Sequence, residues 1–464
     1  MTLRKILLTT TALGAAAMLA SPAFAGSAAA SQGEIDALKA QVEALTQRLD
    51  DIAIQSGNDI KEIKDKQDAV QVDFKDGKPT FRTGDGLFTM SIRGRAHLDA
   101  ASYDQDDNQA PALSSGANFR RAELGVEGTF MRDWGYKMNF QWGDSGAEKA
   151  SEIKDLYLSY NGIKNVSIMA GAIQTFMTLD DSTSSNDITF IERASAANLA
   201  TSLGAGDGRM SFGAKGNTDS FYASLFYTMN TVGAGANTSN EASNIVARTA
   251  YHFEPMSNMN IHVGASGTYA LDTNGSVRFR DRPELRVDPT RLIDTGAITS
   301  DTAYVVGPEL AVSYGPFKAQ GEYYKYNVSR TTLEDASFDA WYLQTSWVIT
   351  GEKYKYSSSD AAYKGVKPDS PFSLGGGIGA WELAARYSVA DLNDNEGSAG
   401  FATPVGGIRG GEQKITTIGL NWYPINNVRM MFEYLDVDVD KLSGAGADIG
   451  ESHKAYATRL QFAF

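Results

Sequence analysis

The chain ends on a strand with two chemically different faces. Residues 453–464 read H-K-A-Y-A-T-R-L-Q-F-A-F. Tyr456, Leu460, Phe462 and Phe464 share one parity, and Ala457, Arg459, Gln461 and Ala463 share the other. Successive side chains of a strand point to opposite faces, so one face is aromatic and apolar and the other small or polar. A soluble sheet could use such a strand. A chain that stops on an aromatic residue of the greasy face is better explained by a transmembrane barrel, with lipid outside and water inside.

The same alternation recurs along most of the chain. Phe88, Met90, Ile92, Ala96 and Leu98 alternate with Thr89, Ser91, Arg93, Arg95, His97 and Asp99. Tyr136, Met138, Phe140 and Trp142 alternate with Lys137, Asn139 and Gln141. Trp381, Leu383, Ala385 and Tyr387 alternate with Glu382, Ala384, Arg386 and Ser388. A charged face repeated on strand after strand cannot point into a dry core. It faces bulk water on a sandwich or lines a wet lumen.

Connection lengths separate those two. Tight connections, such as 132–135, 161–165, 217–219, 315–316 and 424–427, largely alternate with long polar ones at 104–117, 174–208, 271–303, 390–411 and 438–451. Outer-membrane barrels combine short periplasmic turns with long outside loops. Seventeen segments are candidate strands, starting near 87, 118, 134, 153, 166, 209, 221, 244, 260, 304, 317, 339, 353, 380, 412, 428 and 453. A single-chain bacterial barrel needs an even number. The segment from Lys353 is the weakest, because K-Y-K-Y runs into Ser357-Ser358-Ser359. Assigning 350–379 to a long periplasmic turn leaves a sixteen-stranded antiparallel transmembrane β-barrel over 87–464, wide enough for an aqueous channel.

The N-terminal part divides into three. Arg4 and Lys5 precede an apolar run and an Ala23-Phe24-Ala25 cleavage site, so 1–25 reads as a signal peptide. Over 26–70, Ile35, Leu38, Val42, Leu45, Leu49 and Ile52 recur at heptad a/d spacing, with Ile60 and Ile63 resuming after Gly57 and a four-residue phase shift. The pattern is a periplasmic coiled-coil helix or an amphipathic helix packed on its own domain. The narrow stripe favours the coiled coil. Residues 71–86, with the turn residues Asp76-Gly77, Lys78-Pro79 and Gly84-Asp85-Gly86, read as a linker.

Composition narrows the function classes. Among 464 residues, 42 Lys and Arg face 56 Asp and Glu, a net charge of -14 that argues against a nucleic-acid partner. Cysteine is absent, which excludes disulfides and thiolate chemistry. The four histidines, His97, His252, His262 and His453, show no metal-ligand spacing, and no cofactor motif or nucleophile constellation stands out. Asp436, Asp438 and Asp440 read as a solvated acidic rim, since no calcium loop accompanies them.

Several segments resemble the phosphate-selective porin O and P family: Phe119-Arg120-Arg121-Ala122, residues 183–193 (T-S-S-N-D-I-T-F-I-E-R), 348–352 (V-I-T-G-E), 379–388 (G-A-W-E-L-A-A-R-Y-S) with 391–394 (D-L-N-D), and 417–423 (T-I-G-L-N-W-Y). The resemblance covers about residues 80–464. It implies a trimeric sixteen-stranded outer-membrane channel with a loop folded into the lumen, passing phosphate or other small anions. It also implies pore arginines at Arg95, Arg120 and Arg121, and a constriction loop over 178–205 that contains Glu192 and Arg193. Gln174 stands where many relatives carry a lysine.

Read by parity, the lumen wall carries Arg93, Arg95, Arg121, Lys137, Lys318, Arg386, Arg429 and Arg459 against Asp99, Glu123, Glu127, Glu309, Glu322, Glu382 and Glu433. Such a mixed wall selects anions only if the constriction is biased. The expected anion-contacting residues are Arg93, Arg95, Arg120, Arg121, Lys137 and Arg193. The expected partners are small anions, outer-membrane lipid and two further copies of the chain. β-branched a positions with Leu at d would by themselves favour a dimer, so the helix pattern leaves its own stoichiometry open. The alternative function is a structural one: a barrel anchor whose coiled coil tethers the membrane to the cell wall or another envelope protein.

Overall fold

A computed structural model describes residues 31–464, except 69, 76, 107–108, 147, 149–150 and 234–240. The expected signal peptide lies outside the described residues. The chain separates into two units, 1–68 and 69–464.

The described part of the first unit is a helix, α1, Gln32–Asp68. A reciprocal capping box starts it: the Ser31 N–H donates to Glu34 Oε2 at 2.9 Å, and the Glu34 N–H donates to Ser31 Oγ at 3.4 Å. The helix runs through Gly57 unbroken. One glycine costs about 1 kcal/mol in a helix interior, which good helix formers on both sides offset. Ile35, Leu38, Val42, Leu45, Leu49, Ile52, Ile60 and Ile63 are all exposed, so the apolar seam is uncovered.

The second unit opens with a hairpin where a linker was expected: β1, Gln71–Lys75, and β2, Lys78–Arg82. Gly77 has a φ of 76° in the turn between them. Sixteen barrel strands follow, beginning with β3 (Phe88–Gln105), β4 (Gly116–Phe130), β5 (Trp134–Gln141), β6 (Glu152–Ile163) and β7 (Val166–Thr175). Each pairs antiparallel with the next. The last strand, Glu451–Ala463, pairs back on β3 from His453↔Gln105 to Ala463↔Arg95 and closes the barrel. Phe464 and Gly94 exchange backbone hydrogen bonds at 3.0 and 3.1 Å. A side chain at position 94 would meet the Phe464 ring at 2.8 Å, so glycine leaves room for that ring. Beyond Phe464, β2 takes over the free edge of β3, from Thr80↔Ser91 to Arg82↔Thr89.

The alternation of long and short connections is present. Turns 131–133, 164–165, 218–220, 315–316 and 426–427 lie at one end, together with the start of β3 and the end of the last strand. Long loops, including 176–205 and 273–301, lie at the other. The segment from Lys353 is not a barrel strand. It forms a small hairpin, Lys355–Ser357 with Ala362–Lys364, inside the 349–379 connection. Outward residues such as Leu124, Leu156, Leu310, Leu343 and Ile418 are exposed, while their charged or polar neighbours in sequence, Glu123, Asp155, Glu309, Gln344 and Thr417, are buried. That inversion of a soluble protein is the mark of a lipid-facing wall.

Candidate functional site

Strict alternation would send one of two adjacent arginines into lipid. At Arg120 and Arg121 it does not. His97 pairs with Arg121 and Leu98 with Phe119, so Arg120 is the extra residue of a β-bulge. Both guanidinium groups therefore point inward. The same device recurs on β6. Asn139 pairs with Asp155 and Phe140 with Ile153, which leaves Lys154 as the extra residue and turns both Lys154 and Asp155 into the lumen.

Loop 176–205 folds into the barrel. It carries two short helices, α2 (Leu179–Ser182) and α3 (Ser195–Ser202). Its apolar side chains, among them Met177, Leu179, Phe190, Ile191 and Leu199, are almost fully buried. Wall residues from the second half of the barrel hold its backbone. Glu322 accepts the N–H groups of Leu179 (2.5 Å) and Asp180 (3.1 Å), and Glu433 accepts that of Ile191 (2.5 Å). Arg429 donates to the carbonyls of Ile188 and Thr189, Arg386 to that of Glu192, and Arg459 to that of Ile191. Lys318 donates to Thr189 Oγ1 at 2.9 Å. These inward charges, expected from parity, clamp the loop.

Glu192 is the centre of the resulting constellation. Arg120 Nε lies 2.9 Å from its Oε1, Arg459 Nη2 2.9 Å, Arg121 Nη1 3.5 Å, and Arg286 Nε 3.2 Å from Oε2. Burial alone would raise this carboxyl. Arg120, Arg121, Arg286 and Arg459 outweigh that and hold it well below the usual carboxylate range. Asp99 takes a second share of Arg459, at 2.6 and 2.7 Å.

Part of the opposite wall faces open space beside the loop. A cavity of about 420 Å³ lies between β3–β7, the 176–205 loop and the 349–379 turn. Its cations are Arg93, Arg95, Lys137, Lys154, Arg193 and Lys364. Its carboxylates are Glu127, Asp181, Asp207 and Asp360, so positive charge is in excess. Arg95 bonds Glu123 at 3.0 Å and also reaches Ser185 Oγ. Arg93 bonds Glu127 at 2.6 Å, and Lys137 bonds Asp155 at 2.9 Å. Arg193 donates to the carbonyls of Asp180, Asp181 and Thr183, so it staples its own loop while it borders the cavity. Gln174 donates to Asp181 Oδ1 at 3.1 Å.

A second cavity, of about 400 Å³, lies at the short-turn end, with Lys78, Arg93, Lys367 and Arg429 around it and Asp187 as its carboxylate. Lys78 comes from β2 and bonds Glu127 at 2.7 Å. The hairpin at 71–82 therefore adds charge to the barrel mouth.

The sequence reading missed one further set. Loop 273–301 turns inward, with Phe279, Leu285 and Ile293 buried, and carries Arg278, Arg280, Arg282, Arg286 and Arg291. Arg286 reaches Glu192, and Arg278 pairs with Asp294 at 2.5 Å. The signal was present as R-F-R-D-R at 278–282, in a stretch treated only as a loop. Among the described residues, no group of His, Asp and Glu is arranged to hold a metal ion.

Comparison with known proteins agrees with this architecture. Porin O of Pseudomonas aeruginosa is 27% identical over 409 residues, covering 82% of this chain and 90% of that protein. An uncharacterized protein of Caulobacter vibrioides is 26% identical over 366 residues, covering 77% and 70%. Among solved structures, OmpT of Vibrio cholerae superposes with a TM-score of 0.51 at 11% identity, over 82% of this chain and 98% of that one. An anion-selective porin from Comamonas acidovorans does so with a TM-score of 0.51 at 13% identity, over 81% and 100%. These two likenesses concern the fold. The family model for phosphate-selective porin O and P matches residues 90–464, and the chain belongs to that family of outer-membrane porins.

Proposed function

We infer that this porin passes small anions, phosphate among them, by passive diffusion through the barrel. The observation that carries the reading is the bulge that gathers Arg120 and Arg121 at one point of the constriction, with Arg286 added from a second loop. Guanidinium groups stay charged at any relevant pH and match phosphate oxygens with a fork of donors. The excess of cations around the neighbouring cavity extends the positive field along the wall. Cations lining a narrow passage raise the local anion concentration, and several moderate sites in series let an ion leave as readily as it enters. Glu192 sits among the arginines as a tethered anion, which tempers their hold on a mobile one.

The working assembly in this reading is a homotrimer. The uncovered heptad seam of α1 supports self-association of the N-terminal helices as a coiled coil on the periplasmic side. Single-channel recording in planar bilayers tests the function. Anion preference in a potassium chloride gradient at neutral pH, with phosphate reducing chloride current, is the expected result. A cation-selective reversal potential refutes the reading.

A further inference from the structure

The 349–379 turn has two halves of opposite chemistry. The first enters the lumen. Arg248 donates to the carbonyls of Asp360 and Ala361, Tyr363 Oη donates to Asn260 Oδ1, and Tyr354 Oη donates to Glu382 at 2.6 Å. The second half, 370–379, reads S-P-F-S-L-G-G-G-I-G and contains no charged residue. It doubles back on itself, with the Gly379 N–H donating to the Ser370 carbonyl at 3.0 Å. Leu374 at its tip is 101% exposed, and Phe372 and Ile378 are exposed beside it.

This apolar tip is continuous with the aromatic wall. The Phe372 ring meets Trp422 edge-on at 5.4 Å, and Trp422 stacks on its cross-strand partner Trp381 at 5.5 Å. Trp422 Nε1 also donates to the Ile378 carbonyl at 2.9 Å. Both tryptophans lie on the outward parity, near the short-turn ends of their strands. Tryptophan at that level marks the membrane–water boundary, where an apolar body and a polar N–H are both satisfied. A short uncharged segment that displays Leu, Phe and Ile beside such a pair has the composition of an interfacial anchor.

We propose that residues 370–379 are a hook that seats in the periplasmic-leaflet phospholipid, with Leu374, Phe372 and Ile378 inserted at the headgroup–acyl boundary. The absence of charge and the continuity with the tryptophan girdle favour lipid over a water-facing protein partner. The turn is then held at both ends: by hydrogen bonds inside the lumen and by the bilayer outside. The membrane becomes one of the fixed points that position Tyr354 to Val366 in the pore.

The natural chain has no cysteine, so Leu374→Cys provides a single labelling site. The variant is labelled with an environment-sensitive fluorophore, checked for heat-modifiable migration, and reconstituted into phosphatidylethanolamine and phosphatidylglycerol vesicles. Lys164→Cys, in an exposed short turn, serves as the aqueous reference. The expected result is a blue-shifted emission that is quenched by lipid bearing a shallow nitroxide and poorly quenched by iodide. Iodide quenching equal to that of the reference overturns the proposal. So does a blue shift insensitive to nitroxide lipid, because protein then covers the tip.

Discussion

Arg120 Nε lies 2.9 Å from Glu192 Oε1 only because a bulge turns Arg120 to the same side as Arg121. With regular pairing the two arginines would face opposite sides, and replacing one of them would leave the pore unchanged. The structure gives both the same sign of effect. Arg120→Ala and Arg121→Ala are each expected to lower the anion-over-cation permeability ratio, read from reversal potentials in a salt gradient. If either substitution leaves the ratio unchanged, that side chain does not act on the permeating ion.

Glu192 acts in the opposite direction. Glu192→Gln keeps a side chain of the same shape and removes a negative charge from among four guanidinium groups. Anion preference should rise, and phosphate should block chloride current at lower concentration. The expected change is a factor of a few. An unchanged block constant would place phosphate elsewhere in the pore.

The sequence shows the barrel more readily than the pore. Period-two alternation survives in almost every strand, because lipid on one side and water on the other impose it at each position. The expected strand starts therefore lie within about four residues of the observed ones. A bulge leaves no such trace: Lys154 and Asp155 look like an ordinary in–out pair, yet both face the lumen. Parity also cannot say what an inward charge touches. Arg93 and Arg429 share the inward assignment, but Arg93 pairs with the wall carboxylate Glu127 while Arg429 donates to the loop carbonyls of Ile188 and Thr189. The 71–82 hairpin was hidden by its turn residues, which read as a linker until Val72, Phe74 and Phe81 are seen as strand positions.

The cavity wall carries one group poised to titrate near physiological pH. Burial raises the Asp181 carboxyl to about 6, against the lowering effect of Arg193. A raised carboxyl is charged above that value and neutral below it. Lowering the pH from about 7.5 to about 5 therefore removes a negative charge from the cavity, while the arginines stay charged. Anion preference should increase over that window. Asp181→Asn should show the acid-like preference at both pH values. A profile as steep in the variant as in the parent would assign the titration to another group.

Gln174 offers a gain-of-function test. It borders the cavity and donates to Asp181 Oδ1 at 3.1 Å. Gln174→Lys places an ammonium at that position, where it neutralises Asp181 and adds to the neighbouring cations. Phosphate should then reduce chloride current more strongly, with longer residence in single-channel records. If the new lysine pairs with Asp181 alone, conductance rises without a change in phosphate block, and measuring both separates these outcomes.

Arg459 stands at the junction between the last strand and the constriction loop. It is fully buried and bonds both Asp99 oxygens, Glu192 Oε1 and the Ile191 carbonyl. Arg459→Ala strands Asp99 without its buried partner and removes one of the loop's attachments to the closing strand. Breaking a buried pair from one side costs about 3–5 kcal/mol. The barrel has enough other pairing to remain closed, so the loss should fall on the loop. Folded protein should still migrate as the heat-modifiable form, but with a lower unfolding temperature, and its channel records should show added current noise from a less firmly held 176–205 segment. An unfolding temperature equal to the parent's would mean that Arg459 does not hold the loop, despite the bonds it makes.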